Sequence, residues 1–501
     1  MEEYASESDA FTRSREVFES VVSDLDDHDM ATKTHAELED HMTVKAREIT
    51  RSLLQDHLDL RAVREVEHAV VVDIDEVERT RVETGRTRKL QSVHGDVTVE
   101  RLAYRQRGAS DLNVADAVLN LPVEKHSHGL RRLAAIESSR GSFDSASNAI
   151  ERATGTHVPK RQLEALTTRA AQDIDDFYTT RKGVKATKGD VIVLSADGKG
   201  IVMRPGALRE PTQRAAAKTN NKLQTRLSRG EKRNRKRMAE VGAVYTVTPA
   251  VRSPGDIIST GEHRAAGPQC RDKWLTASVE QATAEVITSV FDEAERRDQK
   301  HRCQWVALVD GNAHQIERIE AEATGRKIDV VIIMDFVHVL EYLWKAAWSF
   351  FPETSRDAER WVGDQATAVL EGRSTTVAAA IRRKATGNKL TDEKRKGADT
   401  CADYLLAKAP YLDYPTALSS GWPIATGIIE GACRHLVKDR MDITGARWGL
   451  QGAEAVLKLR ATISNGDFDD YWKFHLEREH DRVHRSRYVN GQLPGELEMA
   501  A

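Results

Sequence analysis

Three apolar runs in this chain each stop on an aspartate: Val191 to Asp197, Trp305 to Asp310 and Val330 to Asp335. Short β-branched runs bounded by Gly, Lys or charged residues predict strands buried on both faces. Elsewhere the apolar period is helical. Residues 34–66 carry apolar positions at helical spacing with few breakers, and residues 115–180 do so again, interrupted at Pro122 and at Thr154-Gly155-Thr156. Residues 277–297 and 337–408 predict further helices. Positions 88–104 alternate around Gly95, with Leu90, Val93, Val97, Val99 and Leu102 apolar, which predicts a hairpin. Residues 241–251 predict another strand, and no internal repeat is visible.

At 501 residues the chain suggests two to four domains. Its composition, 40% hydrophobic and 31% charged, suits a globular protein. No apolar stretch approaches a membrane span, and Met1-Glu2-Glu3 lacks the basic start of a signal peptide, so a cytoplasmic protein with no membrane partner is expected. Cys270, Cys303, Cys401 and Cys433 are scattered without a Cys-x-x-Cys pair, which points to buried free thiols rather than disulfides or a zinc knuckle.

The net charge of −3 hides a strong asymmetry. The first thirty residues carry ten acids against Arg13 and Arg15. From Arg204 to Arg237, twelve bases face only Glu210 and Glu231. Blocks of like charge are often solvated loops. This one follows directly on the first strand aspartate, which favours contact with a phosphate backbone, Lys232, Arg233, Arg235, Lys236 and Arg237 being its densest part.

A carboxylate at the carboxyl end of several buried strands lies on the sheet edge where ligands and metals bind. Asp197-Gly198 and Asp310-Gly311 each allow a sharp turn that leaves the acid open. Glu430 falls just outside the apolar stripe of Ile428, Ile429, Ala432, Cys433, Leu436 and Val437, where it can either face the sheet end or pair with Arg434. Converging carboxylates imply a divalent cation, because they cannot all stay ionised side by side without one. Hard oxygen ligands with no His/Cys cluster favour Mg²⁺ or Mn²⁺ over zinc.

The N-terminal part contains a candidate helix-turn-helix. Ser142 caps a helix with Phe143, Ala146, Ala149 and Ile150 on one face, Gly155 gives the turn, and Pro159 is pre-set for the first turn of a second helix. Lys160, Arg161 and Gln162 would project where recognition helices touch base edges.

Together these segments resemble the DDE transposases of bacterial and archaeal insertion sequences, specifically the ISKra-four type, and more distantly the Mutator group. The resemblance is carried by Ser195-Ala196-Asp197-Gly198-Lys199-Gly200, the basic run Gly230 to Arg237, Val309-Asp310-Gly311-Asn312, Asp335-Phe336-Val337-His338 through Trp344, and Gly427-Ile428-Ile429-Glu430 leading to Arg447-Trp448 and Gly452-Ala453. Gly95-Asp96-Val97 to Tyr104 and Val158 to Gln162 also match, so about residues 35–465 are covered. The resemblance implies an α/β RNase H-like catalytic domain with a helical insertion, plus a mainly α N-terminal region containing the helix-turn-helix. In it Asp197 would end the first strand, Asp310 the fourth, and Glu430 would sit on a late helix. The implied organisation is an acidic flexible tail over 1–33, a helical and hairpin region over 34–110, and a DNA-binding domain over 111–182. The catalytic domain would comprise 183–349 and 421–480, with a basic insert at 204–238 and a helical insertion at 350–420, followed by a tail over 481–501.

The implied activity is binding of terminal inverted repeats, with cleavage and joining of double-stranded DNA at transposon ends and target. A homodimer or larger assembly on DNA in the nucleoid would carry it out. Asp197, Asp310 and Glu430 would hold two Mg²⁺ or Mn²⁺ ions. Asp335 and His338 would support them from behind. Lys199 could neutralise the scissile phosphate, and Trp448, after Arg447, could stack on an unpaired base or serve as a core residue. Two other readings stand beside this one. One is a metal-dependent nuclease or phosphohydrolase, though a haloacid-dehalogenase-type enzyme would want an acid where Lys199 stands. The other is a silent DNA-binding derivative, which would require loss of an acid, and all four are present.

Overall fold

A computed structural model describes residues 10–218, 235–258, 265–443 and 445–494. The chain divides into two units, one formed by residues up to Thr179 and from Gly466 onward, the other by Thr180–Asn465.

In the first unit, Thr34 and Glu37 form a reciprocal capping box that starts a helix over His35–Val63. This helix lies on a hairpin of β1 (Arg81–Ser92) and β2 (Gly95–Arg105), with Leu58, Leu90, Val97, Val99 and Leu121 buried together. The hairpin is longer at its N-terminal end than alternation around Gly95 suggested, because Arg81–Gly85 pairs or bulges without burying an apolar face. Part of the expected acidic tail is ordered: Thr12–Asp26 is a helix that buries Val21, and Ser14 donates from its backbone to Asp56 (2.8 Å). Helices His128–Arg140, Phe143–Thr154 and Lys160–Ala170 enclose a second core around Leu130, Ile150 and Leu163. The two regions expected as separate domains thus fall in one compact unit.

The expected C-terminal boundary and tail are also displaced. Phe468–Val483 is a helix of this first unit, and Tyr488 and Leu493 pack in a core with Val71, Tyr104 and Leu112. The helix contributes His475 and Glu479 to a buried charge network, His475 Nδ1 lying 2.6 Å from Asp173 and Arg131 donating to Glu479 at 3.0 Å. Buried charges persist only when partnered in this way.

The second unit is built on a five-stranded sheet of β3 (Val191–Val202), β4 (Lys236–Val247), β5 (Cys270–Ser278), β6 (Gln304–Val309) and β7 (Val330–Met334), in the spatial order β5-β4-β3-β6-β7. The first three are antiparallel neighbours; β3, β6 and β7 run parallel. Helices cover both faces. The rung of Ala196 and Gly242 faces the helix Thr283–Arg297, where a Cβ on Gly242 would meet Val290 Cγ2 at 2.5 Å. The next rung, Asp197 with Val241, points the other way, toward the helix that starts at Gly427.

Three sequence expectations change here. Residues 270–278, read partly as the start of a long helix, form β5 instead, and the helix begins at Thr283. β4 begins at Lys236, inside the expected basic insert. β7 is an edge strand with Val330–Ile332 only half-buried, so its apolar run is not covered on all sides. Between β7 and Gly427 stand helices Phe336–Ala347, Arg356–Leu370, Ser374–Gly387 and Asp392–Ala407, a larger helical insertion than 350–420. Among the four thiols, Cys401 and Cys433 are buried, whereas Cys270 is exposed.

Two outcomes test this packing. Gly242→Ala is expected to destabilise the chain by about 1–3 kcal/mol, read by denaturant unfolding, because the helix must move off the sheet. His128 donates from Nε2 to the Asn120 carbonyl (2.7 Å), its Nδ1 lies 3.0 Å from Arg131, and burial pushes its pKa down to about 4. The unfolded imidazole protonates near 6.5 while the folded one does not, so this contribution is complete above that pH and is lost as pH falls toward 4. His128→Gln is expected to flatten the rise in unfolding midpoint between pH 4.5 and 7; an unchanged slope would remove His128 from the account.

Candidate functional site

The parallel register decides where the aspartates meet. Ser195 on β3 pairs with Leu308 on β6, and Leu308 pairs with Ile333 on β7. The paired rungs stop at Ser195 with Leu308 and at Val309 with Met334, and Asp197, Asp310 and Asp335 follow within two residues at the same end of three adjacent strands. Neighbouring strands lie about 4.8 Å apart, and residues on one rung share a face. Asp197 does not end its strand as expected: β3 continues to Val202 against β4, and the parallel ladder with β6 stops at Ser195, two residues before Asp197.

Each acid is held differently. Asp197 is half-buried; its Oδ1 accepts the Gly198 N–H (2.6 Å) and its Oδ2 the Cys433 thiol (3.2 Å). Burial first, then the Asp197 charge, pushes the Cys433 thiol up, so it remains a protonated donor. Asp310, half-buried, accepts from the Asn312 N–H (2.9 Å) across Gly311, whose φ of +104° makes the turn. Asn312 in turn caps the helix Ala313–Arg326. Asp335 is fully buried and saturated: it accepts from Val337 N–H (3.0 Å), Thr426 N–H (3.3 Å) and the Thr426 hydroxyl, and lies 2.9 Å from His338 Nδ1.

Asp335 therefore joins the N-termini of two helices, one starting at Phe336 and the other at Gly427. The Phe336 N–H to Ile424 carbonyl bond (2.8 Å) closes the same junction. Glu430, exposed, stands one turn beyond Thr426, and its backbone N–H donates to the Thr426 carbonyl (3.1 Å). Among the described residues, Asp335, His338 and Glu430 form a group whose ligand atoms all lie within 4.8 Å of one another. The two residues expected as outer support are thus in the closest group with Glu430, and Asp197 and Asp310 are not part of that group. Arg434 does not take up Glu430 as an ordinary pair; it turns toward Asp439 (4.0 Å). After Ala432 the helix widens into a π-turn over Cys433–Lys438, and Arg460 satisfies the loosened Leu436 carbonyl (2.9 Å).

Electrostatics mark the edge as acidic. Burial and the nearby Asp197 charge raise the pKa of Glu240, a β4 residue paired with Gly198. Burial alone would lower the His338 pKa, but the Asp335 hydrogen bond and charge raise it. Lys199 is exposed two residues past Asp197.

Several expected contacts are placed otherwise. Trp448 is buried; its Nε1 donates to the Met441 carbonyl (2.9 Å), its backbone bridges Val202 and Arg204, and the Arg440 guanidinium lies 4.7 Å from its ring centre. It is a core residue, with no free face for a base. Arg447 beside it is exposed. Arg237 donates to the Val279 (2.6 Å) and Ala207 (3.3 Å) carbonyls, so its guanidinium serves the fold. Lys236 is exposed and Arg235 half-buried, while Lys232 and Arg233 lie outside the described residues. In the first unit, Lys160 and Arg161 are exposed, Lys160 pairing with Asp144 (2.7 Å). Gln162 is half-buried rather than fully projecting, and Pro159 occupies the cap rather than the first turn.

Sequence reasoning missed Thr426, Cys433 and Glu240 as site residues. Thr426 directly precedes Gly427 at a helix start, which is a readable cap signal; the other two are placed by tertiary contact. Thr426→Val removes one donor from a buried carboxylate and is expected to cost about 1–3 kcal/mol in unfolding free energy, with Thr426→Ser close to native. Equal stability of Thr426→Val and wild type would show that the junction does not depend on this bond.

Compared with protein-family models and with curated proteins, the chain matches none.

Proposed function

We propose that this protein is a DDE-type transposase: it binds the ends of a mobile element and cleaves and joins double-stranded DNA at an RNase H-like sheet edge. The observation that carries the reading is the parallel register of β3, β6 and β7, which leads into Asp197, Asp310 and Asp335 at one end of the sheet, with Asp335 fastening the junction that delivers Glu430. The first and fourth strands of the sheet carry the two aspartates and a late helix carries the glutamate, as the resemblance implies. A helical insertion stands where the 95 residues between Asp335 and Glu430 required one.

The donor set fits a hard divalent ion. Carboxylate oxygens predominate, His338 is the one imidazole of the close group, and the Cys433 thiol is protonated and committed to Asp197. Asp197, Asp310 and Glu430 would hold Mg²⁺ or Mn²⁺. When bound, such a pair of ions activates water or a DNA 3′-hydroxyl and stabilises the leaving oxygen.

The protein's own groups do the rest. Asp335 holds the helix bearing Glu430 against the sheet and orients His338 through Nδ1, leaving Nε2 for a ligand or phosphate oxygen. Lys199 offers an exposed cation beside Asp197 for the scissile phosphate. In the first unit, helices Phe143–Thr154 and Lys160–Ala170, joined through left-handed Gly155, serve as a helix-turn-helix. Lys160 and Arg161 meet the duplex there; the exposed Lys160–Asp144 pair is weak enough to be exchanged for a phosphate. Exposed Arg447 and Lys236 extend the basic surface of the second unit. Assembly of two or more copies on DNA in the nucleoid completes the reading.

Asp197→Ala, Asp310→Ala and Glu430→Ala are each expected to abolish Mg²⁺-dependent cleavage of a duplex carrying the gene's flanking DNA. Band-shift affinity for the same duplex should stay within about threefold, since end binding is carried by phosphate and base contacts elsewhere. Near-normal cleavage by any one mutant would remove that residue from the site.

A further inference from the structure

We propose that Tyr404 and Lys408, supplied by the helical insertion, bind a phosphodiester of the substrate on the Asp310 side of the site. The proposal rests on the nucleic-acid reading above. Tyr404 lies near the end of the helix Asp392–Ala407, and Lys408 is the residue after it. A Cβ placed on Gly311 would lie 3.5 Å from Tyr404 Cε2 and 3.6 Å from Lys408 Cε. Both side chains therefore reach the turn that immediately follows Asp310.

Neither polar end is used by the fold. The Tyr404 hydroxyl is a buried oxygen without a hydrogen-bond partner, and such a group costs free energy until an acceptor arrives. Burial, with Tyr342, Asp335 and Asp310 nearby, raises its pKa, so it stays a donor at neutral pH. Lys408 is half-buried and makes no ion pair among the described residues. A protonated phenol and an ammonium one helical turn apart, both beside the same turn, are donors that a phosphodiester's anionic oxygens can use.

The pair is held in place before any ligand arrives. Tyr404 stacks on Tyr342 (ring centres 3.9 Å apart, planes at 11°), and Lys345 lies 4.4 Å over the Tyr342 ring. Just beyond Lys408, Tyr411 donates to Glu320 (3.0 Å) and Tyr414 to the Met334 carbonyl (2.9 Å), next to Asp335. Lys408 thus stands at the β6–β7 side of the acidic edge, and Lys199 stands at β3. A sugar-phosphate strand crossing the edge would meet a cation on each side of the carboxylates.

The test uses the full chain and a duplex carrying the gene's flanking DNA. Cleavage in Mg²⁺ is followed against DNA concentration, and binding in Ca²⁺ is followed against salt. Lys408→Ala is expected to raise KM about tenfold with a smaller change in kcat, and to lower the salt slope of binding by about one. Lys408→Arg should restore the slope. Tyr404→Phe, which keeps the ring stack, should raise KM about threefold. Unchanged KM and slope in both Lys408→Ala and Tyr404→Phe, with Asp310→Ala inactive, would overturn this assignment while leaving the site reading intact. Cleavage surviving Asp310→Ala, or a wild-type chain that binds no duplex, would overturn both.

Discussion

The second unit depends on one buried carboxylate. Asp335 is removed from solvent, and an unpartnered charge there would cost several kcal/mol. Its partners come from two stretches of chain, Val337 and His338 on one side and Thr426 on the other. Both are helix starts, where unpaired N–H groups and the helix dipole favour negative charge. Ninety-five residues separate Asp335 from Glu430 in sequence. The bond to Thr426 reduces that interval to one helical turn, because Glu430 lies four residues beyond Thr426. The insertion can therefore be large and still not disturb the position of the acid that follows it.

The parallel ladder supplies the complementary constraint. A shift of one residue between β3 and β6 would send Asp310 to the opposite face from Asp197. Register is fixed by the buried runs Val191–Ala196 and Trp305–Val309, whose side chains pack on both faces. Gly242 sharpens it, since only a residue without a Cβ lets the helix Thr283–Arg297 approach that rung. Packing far from the acidic edge thus determines which carboxylates share it.

Much of this was legible where the signal is local. Each apolar run that stopped on an aspartate formed a strand of the sheet, and Ser142, Gly155 and the hairpin around Gly95 lie where turn and cap chemistry put them. The misses share a cause. β5 opens with exposed Cys270, Arg271, Asp272 and Lys273, so neither alternation nor an apolar run announces it; pairing with β4 makes it a strand. The acidic helix Thr12–Asp26 is stabilised by contact with the following helix, which composition does not reveal. Trp448 carries a side chain equally suited to a core or to nucleic acid, and its bond to the Met441 carbonyl decides for the core. For the site, Asp310, Asp335 and Glu430 were readable as strand-end and helix-start residues and Asp197 only as the end of an apolar run, whereas Thr426, Cys433, Tyr404 and Lys408 gain their meaning only from what the fold sets beside them.

Charge at this edge shows why the insertion belongs to the site rather than merely interrupting it. Asp197, Asp310, Asp335 and Glu430 stand at this edge, and Glu240, whose pKa is raised by burial and then by the Asp197 charge, lies beside it. Asp335 is neutralised by hydrogen bonds and His338, whereas among the described residues Asp197, Asp310, Glu430 and Glu240 form no ion pair. A mobile divalent ion can supply that compensation, and it brings excess positive charge that a polyanion then satisfies. On the proposed reading, a strand bound there would have to be held at points beyond the ions, or it would bind wherever its charge allowed. The sheet's own lysines at this edge, Lys199 and Lys236, stand on β3 and β4, since β6 and β7 turn directly from aspartate into helix. A cation on that far side has to come from another element. The inserted helix that ends at Ala407 provides it, on a backbone tied to the end of β7 through Tyr414.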